Sequence, residues 1–534
     1  MKELTGAIMT AMMHPGLMMI GIGLFVMLLP RPLRRITGII APAAALWALM
    51  KISEASVLAY DISSFIHLEL IHYDSGSFTL AFGFCIIAFI YGIYGESIQT
   101  RSESGLSLIC AGSAVGTVLA GDCISLMLFL GIMVLSSSYI IYTGRAGVSA
   151  PASLRQMILH VLAVNLIYAG LIIYMFHYGN WIDSLLPCYG EASFWLVLAG
   201  IAVICGILPF QSWLADAWES SSSAGSACLA AFSSSAAVSI MIRMFSGYGP
   251  LIWIGAAASV YAVIMALTQN DIRRLLAYAY AGQIGMITAV IGIGGEAGIN
   301  AAVSHVFSTM IIMSIMLMCA GTVVFATGRS GMTELGGLAK RMPVTGACFA
   351  IASLAAAGIP VVQGSASLTM IIETLRNGGY DKPLLLVLAG CAGTILAVTL
   401  RFNYYVLFGR CEDRERSRIS GKVPITMTIA TAAGAVLILF AGLLPDSVIS
   451  AMPAVPAAFS AEGVWRFIAM LAGASVPFFL FIGKTRPRDG LILDVDWFVR
   501  RPLRSMAVTV SYGLNSLFTW FDDIADLRGK KQKQ

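Results

Sequence analysis

Long apolar runs separated by short polar stretches dominate this 534-residue chain. A membrane-spanning helix needs about 20 predominantly apolar residues. Runs of that kind lie near 13–30, 36–53, 77–95, 105–121, 124–143, 156–177, 194–213, 223–243, 250–268, 276–294, 300–325, 343–364, 383–408, 423–444 and 464–483. They are numbered spans 1 to 15 below. The pattern predicts an all-α polytopic membrane protein of about 14–15 transmembrane helices, followed by a polar tail over 484–534. The first run lacks an A-x-A-like cleavage site followed by a soluble domain, so it reads as a retained span and not a signal peptide.

Composition narrows the class. Charged residues are 11% of the chain, against roughly 25% in soluble domains, too few to coat the surfaces of several soluble domains. A disordered chain, a nucleic-acid binder and a multidomain soluble enzyme are excluded on that ground. The ten cysteines sit singly in apolar stretches, as at Cys85, Cys205, Cys319 and Cys391, without a CxxC or a His/Cys cluster of metal spacing. No metal site, no cofactor and no catalytic centre are expected: the chain has no Walker lysine loop and no GxGxxG between a strand and a helix.

Net charge is only +5, but its placement orients the chain. One set of alternate loops holds sixteen Lys and Arg, from Arg31, Arg34 and Arg35 through Arg273 and Arg274 to Arg410–Lys422. The other set holds six on the most generous count and carries Glu54, Asp61, Glu69, Asp74, Asp183, Glu191, Glu296 and Asp446 instead. By the positive-inside rule the N-terminus is outside and the tail cytoplasmic.

Two spans contain helix breakers. Span 7 carries Gly206-Ile207-Leu208-Pro209-Phe210, and span 12 carries Gly358-Ile359-Pro360. Proline removes a backbone hydrogen bond, and such breaks survive in a membrane where protein or water covers the freed carbonyls. Paired breaks point to repeats with an ion path at midplane; two unrelated kinks are the alternative. Their separation of five spans, an odd number, makes any such repeats inverted.

The motifs carry a resemblance. Gln269-Asn270-Asp271-Ile272-Arg273-Arg274-Leu275-Leu276-Ala277-Tyr278, followed by Gln283-Ile284-Gly285, resembles the QxDxKRxLAYSxxxQxG signature of antiporter-like subunits of respiratory complex I, membrane-bound hydrogenases and Mrp cation/proton antiporters. Thr333–Pro343, with Lys340 and Arg341, is similar to that family's LGGLAKRMP loop, and Gln211–Glu219 to its QTWLPDAME. Asp494-Val495-Asp496-Trp497-Phe498 resembles a tail motif of Mrp-type and hydrogenase-type members. The match covers roughly residues 75–410. It implies spans 1–3 within 1–95, a first repeat of spans 4–8 over 105–245, an inverted second repeat of spans 9–13 over 250–408, and two further spans over 423–483. It also implies partners: other membrane subunits of a complex I-like, hydrogenase-like or Mrp-like assembly, with protons or sodium as the ion moved and no nucleic acid.

The resemblance fails where ions would pass. A relay through lipid needs groups that tolerate charge. The family's glutamate on span 5 falls at Ile132, allowing one residue of slippage, and its span-7 lysine falls at Ile204. Its span-8 histidine falls at Leu229, its span-11 HxxxHAxxK becomes His305, Thr309 and Met313, and the lysine after the span-12 break falls at Leu368. Four candidates remain for an ion path: His305, Asp122, Glu219 and Arg401. Each has a plainer alternative: a hydrogen-bonded core histidine, a helix cap for Asp122, a solvated helix end for Glu219 beside Asp216, and an arginine snorkelling to the cytoplasmic face for Arg401. Asp271, Arg273 and Arg274 are expected to anchor a loop and a subunit contact.

In the tail, Trp497 and Phe498 before Arg500, Arg501 and Arg504 read as an interfacial anchor, and 505–527 as an amphipathic helix along the membrane or on a neighbouring subunit. The function so read is an antiporter-like, non-catalytic subunit in a bacterial or archaeal inner membrane, structural or coupling, with a degenerate proton channel. The alternatives are an active antiporter on a non-standard path and a solute transporter on the same scaffold.

Overall fold

Each of the fifteen apolar runs lies on a helix or on an interrupted pair of helices in the computed structural model. It describes residues 14–52, 58–63, 66–144, 147–182, 184–360, 362–409, 421–443 and 461–480, with isolated residues 486, 487, 494, 509 and 516. The readings of the tail as anchor and amphipathic helix, and of its Asp494–Phe498 motif, lie outside the described residues apart from Asp494, which is buried. Residues up to Asp489 form one unit and Gly490–Gln534 another.

Among the described residues, eleven helices are long and apolar enough to cross a membrane by themselves. The remaining four spans are Pro15–Val26, the arginine-led Arg31–Leu49, and two broken pairs: Ala192–Cys205 with Ser212–Ser220, and Pro343–Ala356 with Ser365–Asn377. The hydropathy pattern ends spans 7 and 12 at 213 and 364. Their second halves run on because those half-helices are polar, and hydropathy stops at the first serines and acids. Spans 6 and 11 are longer than predicted, at Ser149–Tyr178 and Gly295–Thr327. Span 13 runs Asp381–Phe408, and from Ile395 onward it is a π-helix.

One element departs from the all-α expectation. The acidic loop between spans 2 and 3 contains an antiparallel hairpin, Leu58–Ser63 with Ile66–Ile71, pairing Leu58 with Ile71 and Asp61 with His67. Its second strand is tied to span 1. His14 caps span 1 by accepting from Gly16 and Leu17 N–H, and its Nε2 lies 3.0 Å from the Leu70 carbonyl. Span 1 itself lies against span 4 at glycines: a Cβ at Gly16 would stand 2.5 Å from the Gly112 carbonyl, and one at Gly23 2.8 Å from that of Gly105. Small residues let membrane helices approach to backbone contact, which explains how a twelve-residue helix is kept in the bundle.

Spans 4–8 are echoed locally by spans 9–13. Span 4 (Arg101–Leu119) ends at Ala120, and Asp122 caps span 5 (Cys123–Tyr142). Span 9 (Pro250–Thr268) ends at Gln269, and Asp271 caps span 10 (Ile272–Ile293). Each aspartate's segment makes an isolated antiparallel bridge to the loop beyond the next two helices, Asp122 with Trp181 and Asp271 with Gly331. The bridging bonds match: Cys123 N–H to Asn180 O and Ile182 N–H to Gly121 O in one half, Ile272 N–H to Ser330 O and Met332 N–H to Asn270 O in the other, all 2.9–3.1 Å.

The breaks match too. In span 7 Gly206 sits at φ 71°, and in span 12 Gly358 at φ 74°. In each, the glycine N–H bonds three residues back and the next N–H bonds five back: Gly206 to Val203 and Ile207 to Ala202, Gly358 to Ala355 and Ile359 to Leu354. This is the left-handed C-terminal cap that stops a helix while satisfying its last carbonyls. A leucine from the second half-helix then covers each glycine, with Leu214 and Leu368 side-chain atoms 2.6 Å from where a Cβ would be.

Candidate functional site

Three motifs far apart in sequence meet at one end of the bundle. Asp271 accepts from the N–H groups of Arg273 (2.8 Å) and Arg274 (3.1 Å), which starts span 10 and aims both guanidiniums at the short half-helix Ser212–Ser220. Arg274 Nη1 lies 3.1 Å from Asp216 Oδ1 and 2.9 Å from Glu219 Oε2, and its Nε donates to Gln269 Oε1 at 3.1 Å. Arg155 reaches Asp216 at 3.5 Å. Arg273 is buried and donates to the carbonyls of Ser221, at 2.8 Å, and Glu219. A cation there complements the half-helix's negative C-terminal end. Asn270 completes the join: its Nδ2 donates to Thr333 Oγ1 and its Oδ1 accepts from the Thr333 N–H, Thr333 being the first residue of the LGGLAKRMP-like loop. That loop is anchored by buried Leu335 and Leu338 and leaves Lys340 and Arg341 exposed.

Glu219 is therefore one member of a partly exposed ion-pair cluster. Asp122 is fully buried as a cap: it accepts from Ile124, Ser125 and Glu69 N–H, each at 2.9 Å. Arg401 is buried rather than snorkelling. Its Nη1 donates to the carbonyls of Gln269 (2.9 Å) and Ala266 (3.5 Å), closing the C-terminus of span 9. Arg243, on span 8, does the same for Ala120 at the end of span 4. Of the four candidate path residues, Asp122 and Arg401 serve helix ends and Glu219 an ion pair; Arg401 and Glu219 are linked through Gln269, whose carbonyl accepts from Arg401 and whose Oε1 accepts from Arg274, while Asp122 caps a different helix and His305 lies beside the span-12 break.

His305 lies beside the span-12 break. Its Nε2 is 2.9 Å from Gln283 Oε1 and its Nδ1 3.0 Å from Ser367 Oγ, while Gln283 Nε2 reaches Thr394 Oγ1 at 3.4 Å. Both ring nitrogens thus meet neutral partners, which suits an uncharged imidazole. The crevice around it is walled by Ile312, Met313, Ala355, Ala356 and Leu368, with Ser308 and Thr309 beside them. Ile204, Leu229, Met313 and Leu368, at the positions where the resemblance leads one to expect titratable groups, are all buried. Pro209 and Pro360 both fall inside the breaks, as expected.

Two groups escaped the sequence reading. His160 is buried on span 6; its Nδ1 is 2.7 Å from Gln156 Nε2, which also donates to Ser137 Oγ while Gln156 Oε1 accepts from the Ser138 hydroxyl, and its ring stands edge-on to Trp213 at 4.3 Å. Trp213 Nε1 donates at 2.8 Å to Val203 O, which also accepts from the Gly206 N–H at the span-7 break. A histidine four residues after a glutamine inside an apolar helix was the available signal. Glu103, on span 4, is buried and accepts from the Ser222 hydroxyl. Its place two residues after Arg101 made it look like part of a solvated loop.

Two capped, broken-helix halves and a motif-built ion-pair cluster define a polytopic membrane subunit of antiporter-like architecture. The chain belongs to the NADH:quinone oxidoreductase/Mrp antiporter transmembrane family, whose model matches residues 120–396. It is 26% identical over 272 residues to NADH-quinone oxidoreductase subunit M of Rickettsia felis, covering 49% of this chain and 54% of that one. It is 24% identical over 355 residues to an Na(+)/H(+) antiporter subunit of Bacillus subtilis, covering 62% and 71%. The chain spans about half the length or less of several curated relatives that it matches. In fold it is similar to a chain of the membrane-bound sulfane sulfur reductase, an archaeal respiratory membrane complex, with a TM-score of 0.73 over 87% of this chain and 99% of that one at 19% identity.

Proposed function

We propose that this integral membrane protein is an antiporter-like subunit of a multi-subunit, ion-translocating assembly of the complex I, Mrp or membrane-bound reductase kind. Its place there is structural and coupling, beside other membrane subunits, in a bacterial or archaeal inner membrane with the tail cytoplasmic. The observation that carries this reading is the filling of the axis: Ile204, Leu229, Met313 and Leu368 are buried where the resemblance calls for lysines and histidines, and His305 is enclosed by neutral partners. Bare charge in hydrocarbon costs several kcal/mol or more, so an axis without titratable steps is a barrier to protons.

The competing reading is an antiporter on a non-standard path through His305, Asp122, Glu219 and Arg401. Against it stands the use of Asp122 and Arg401 on helix ends and of Glu219 in an ion pair. The test is pH-gradient formation by the complete assembly in proteoliposomes. His305→Ala is expected to lower it by less than about tenfold, a barrier change under roughly 1.4 kcal/mol. Abolished transport with assembly intact would overturn the proposal.

A further inference from the structure

A second crevice adjoins that of His305. Ser304, Ser308, Gln363, Ser365, Ser367 and Met370 line it, together with Ala441 and Gly442 of span 14 (Ile425–Leu443). Gln363 is 4% exposed, and among the described residues neither its Oε1 nor its Nε2 has a hydrogen-bond partner. Its position is set by its backbone, whose N–H donates to Ile438 O at 3.1 Å. A buried amide with both ends unpaired costs on the order of 1–3 kcal/mol per group, so something must meet it. A surrounding hydroxyl can: Ser365 spends its proton on the carbonyl of Val362 (3.1 Å), which leaves its oxygen able to accept.

We infer that Gln363 and these serines form a water-binding site that hydrates the span-12 break from one side and ends against His305. The crevice has room for about one or two waters. Water fits better than a desolvated cation, because a cation would satisfy Oε1 and repel the amide N–H groups, and among the described residues no carboxylate lines the crevice to neutralise it. Ser308 lines both crevices, and Ser367 Oγ is the atom 3.0 Å from His305 Nδ1, so water here reaches the imidazole's partner. Past that point the His305 crevice is lined by Ile312, Met313 and Leu368 and also by Gln283 and Thr309. The site is thus a hydrated recess beside the break. It stands independently of the transport reading, because hydration is measured whether or not the subunit conducts.

The test is X-ray hydroxyl-radical footprinting of the intact complex, in which radicals born on a bound water oxidise the nearest sulfur. Met370 lines the crevice and is 9% exposed; Met241, on span 8, does not line it and is 0% exposed. Met370 is expected to be oxidised at least about five times faster than Met241. Gln363→Leu, nearly isosteric, should lower the Met370 rate by about threefold or more, and Ser308→Ala should lower it if the leucine variant fails to assemble. Equal rates at Met370 and Met241 would show a dry crevice and overturn the inference. So would a Met370 rate unchanged by either substitution in assembled complex. Protection of Met370 on replacing potassium by sodium would assign the site to a cation and overturn it as well.

Discussion

Arg401 donates a 2.9 Å hydrogen bond from its guanidinium to the carbonyl of Gln269, the residue that ends span 9. Arg243 makes the equivalent bond to Ala120 at the end of span 4. In each half of the molecule the fifth helix therefore sends a cation back to the C-terminus of the first, one residue before the segment whose aspartate caps the second. A fixed positive charge at that end offsets the helix dipole and satisfies carbonyls that no later turn can reach.

Removing that charge should loosen one half without touching the other. Arg401→Met and Arg243→Met are each expected to cost about 1.5–3 kcal/mol, the worth of a hydrogen bond to a charged group. The two share no partner, so the double variant should lose close to the sum. Thermal dissociation of the complex in mild detergent measures this; a double variant no worse than either single one would refute the independence of the two halves.

The Arg274–Glu219 contact is partly screened, with side chains 28% and 31% exposed, so its strength should be modest. A double-mutant cycle on Arg274→Met and Glu219→Gln is expected to give a coupling of about 1 kcal/mol, between the values of exposed and buried pairs. Arg273→Met should be worse than Arg274→Met, because its buried guanidinium serves the backbone carbonyls of Ser221 and Glu219. The same dissociation assay reads both, and a reversed order would contradict the assignment.

Leu368→Lys restores the residue type that the resemblance places after the span-12 break, in a setting that cannot hold it. Leu368 packs on Gly358 and shares a crevice with Arg466, which donates to Thr369 Oγ1 at 3.1 Å. An uncompensated ammonium there is expected to cost about 3–5 kcal/mol, seen as loss of the chain from the assembled complex on native gels. Arg466→Ala in the same chain should recover part of it by removing a like charge; no recovery would mean that the lysine fails on volume alone.

Topology follows from loop charge. A reporter fused after Gln534 should report the cytoplasm and one within 446–462 the outside. The opposite pattern would invert the orientation and with it the side from which the Gln363 crevice fills.

The fifteen spans, the class and the two breaks were legible in the sequence because lipid imposes a one-dimensional rule: each crossing needs its own apolar length, and Gly-Ile-Pro or Gly-Ile-Leu-Pro inside one interrupts the helix. Motif order was enough to name the family. The cap at Asp122 was legible, because it accepts from N–H groups two and three residues on. What Arg243 and Arg401 do was not: they close helix ends only when a carbonyl from another span arrives, Ala120 for Arg243 and Gln269 for Arg401. The Gln283–His305 pair, which joins spans 10 and 11, and the unpaired amide of Gln363 beside the span-12 break likewise exist only because separate helices pack together. Hydropathy is a property of a segment and can be read along the chain. Hydrogen-bond satisfaction is a property of a place, and the tertiary structure alone decides which residues share one.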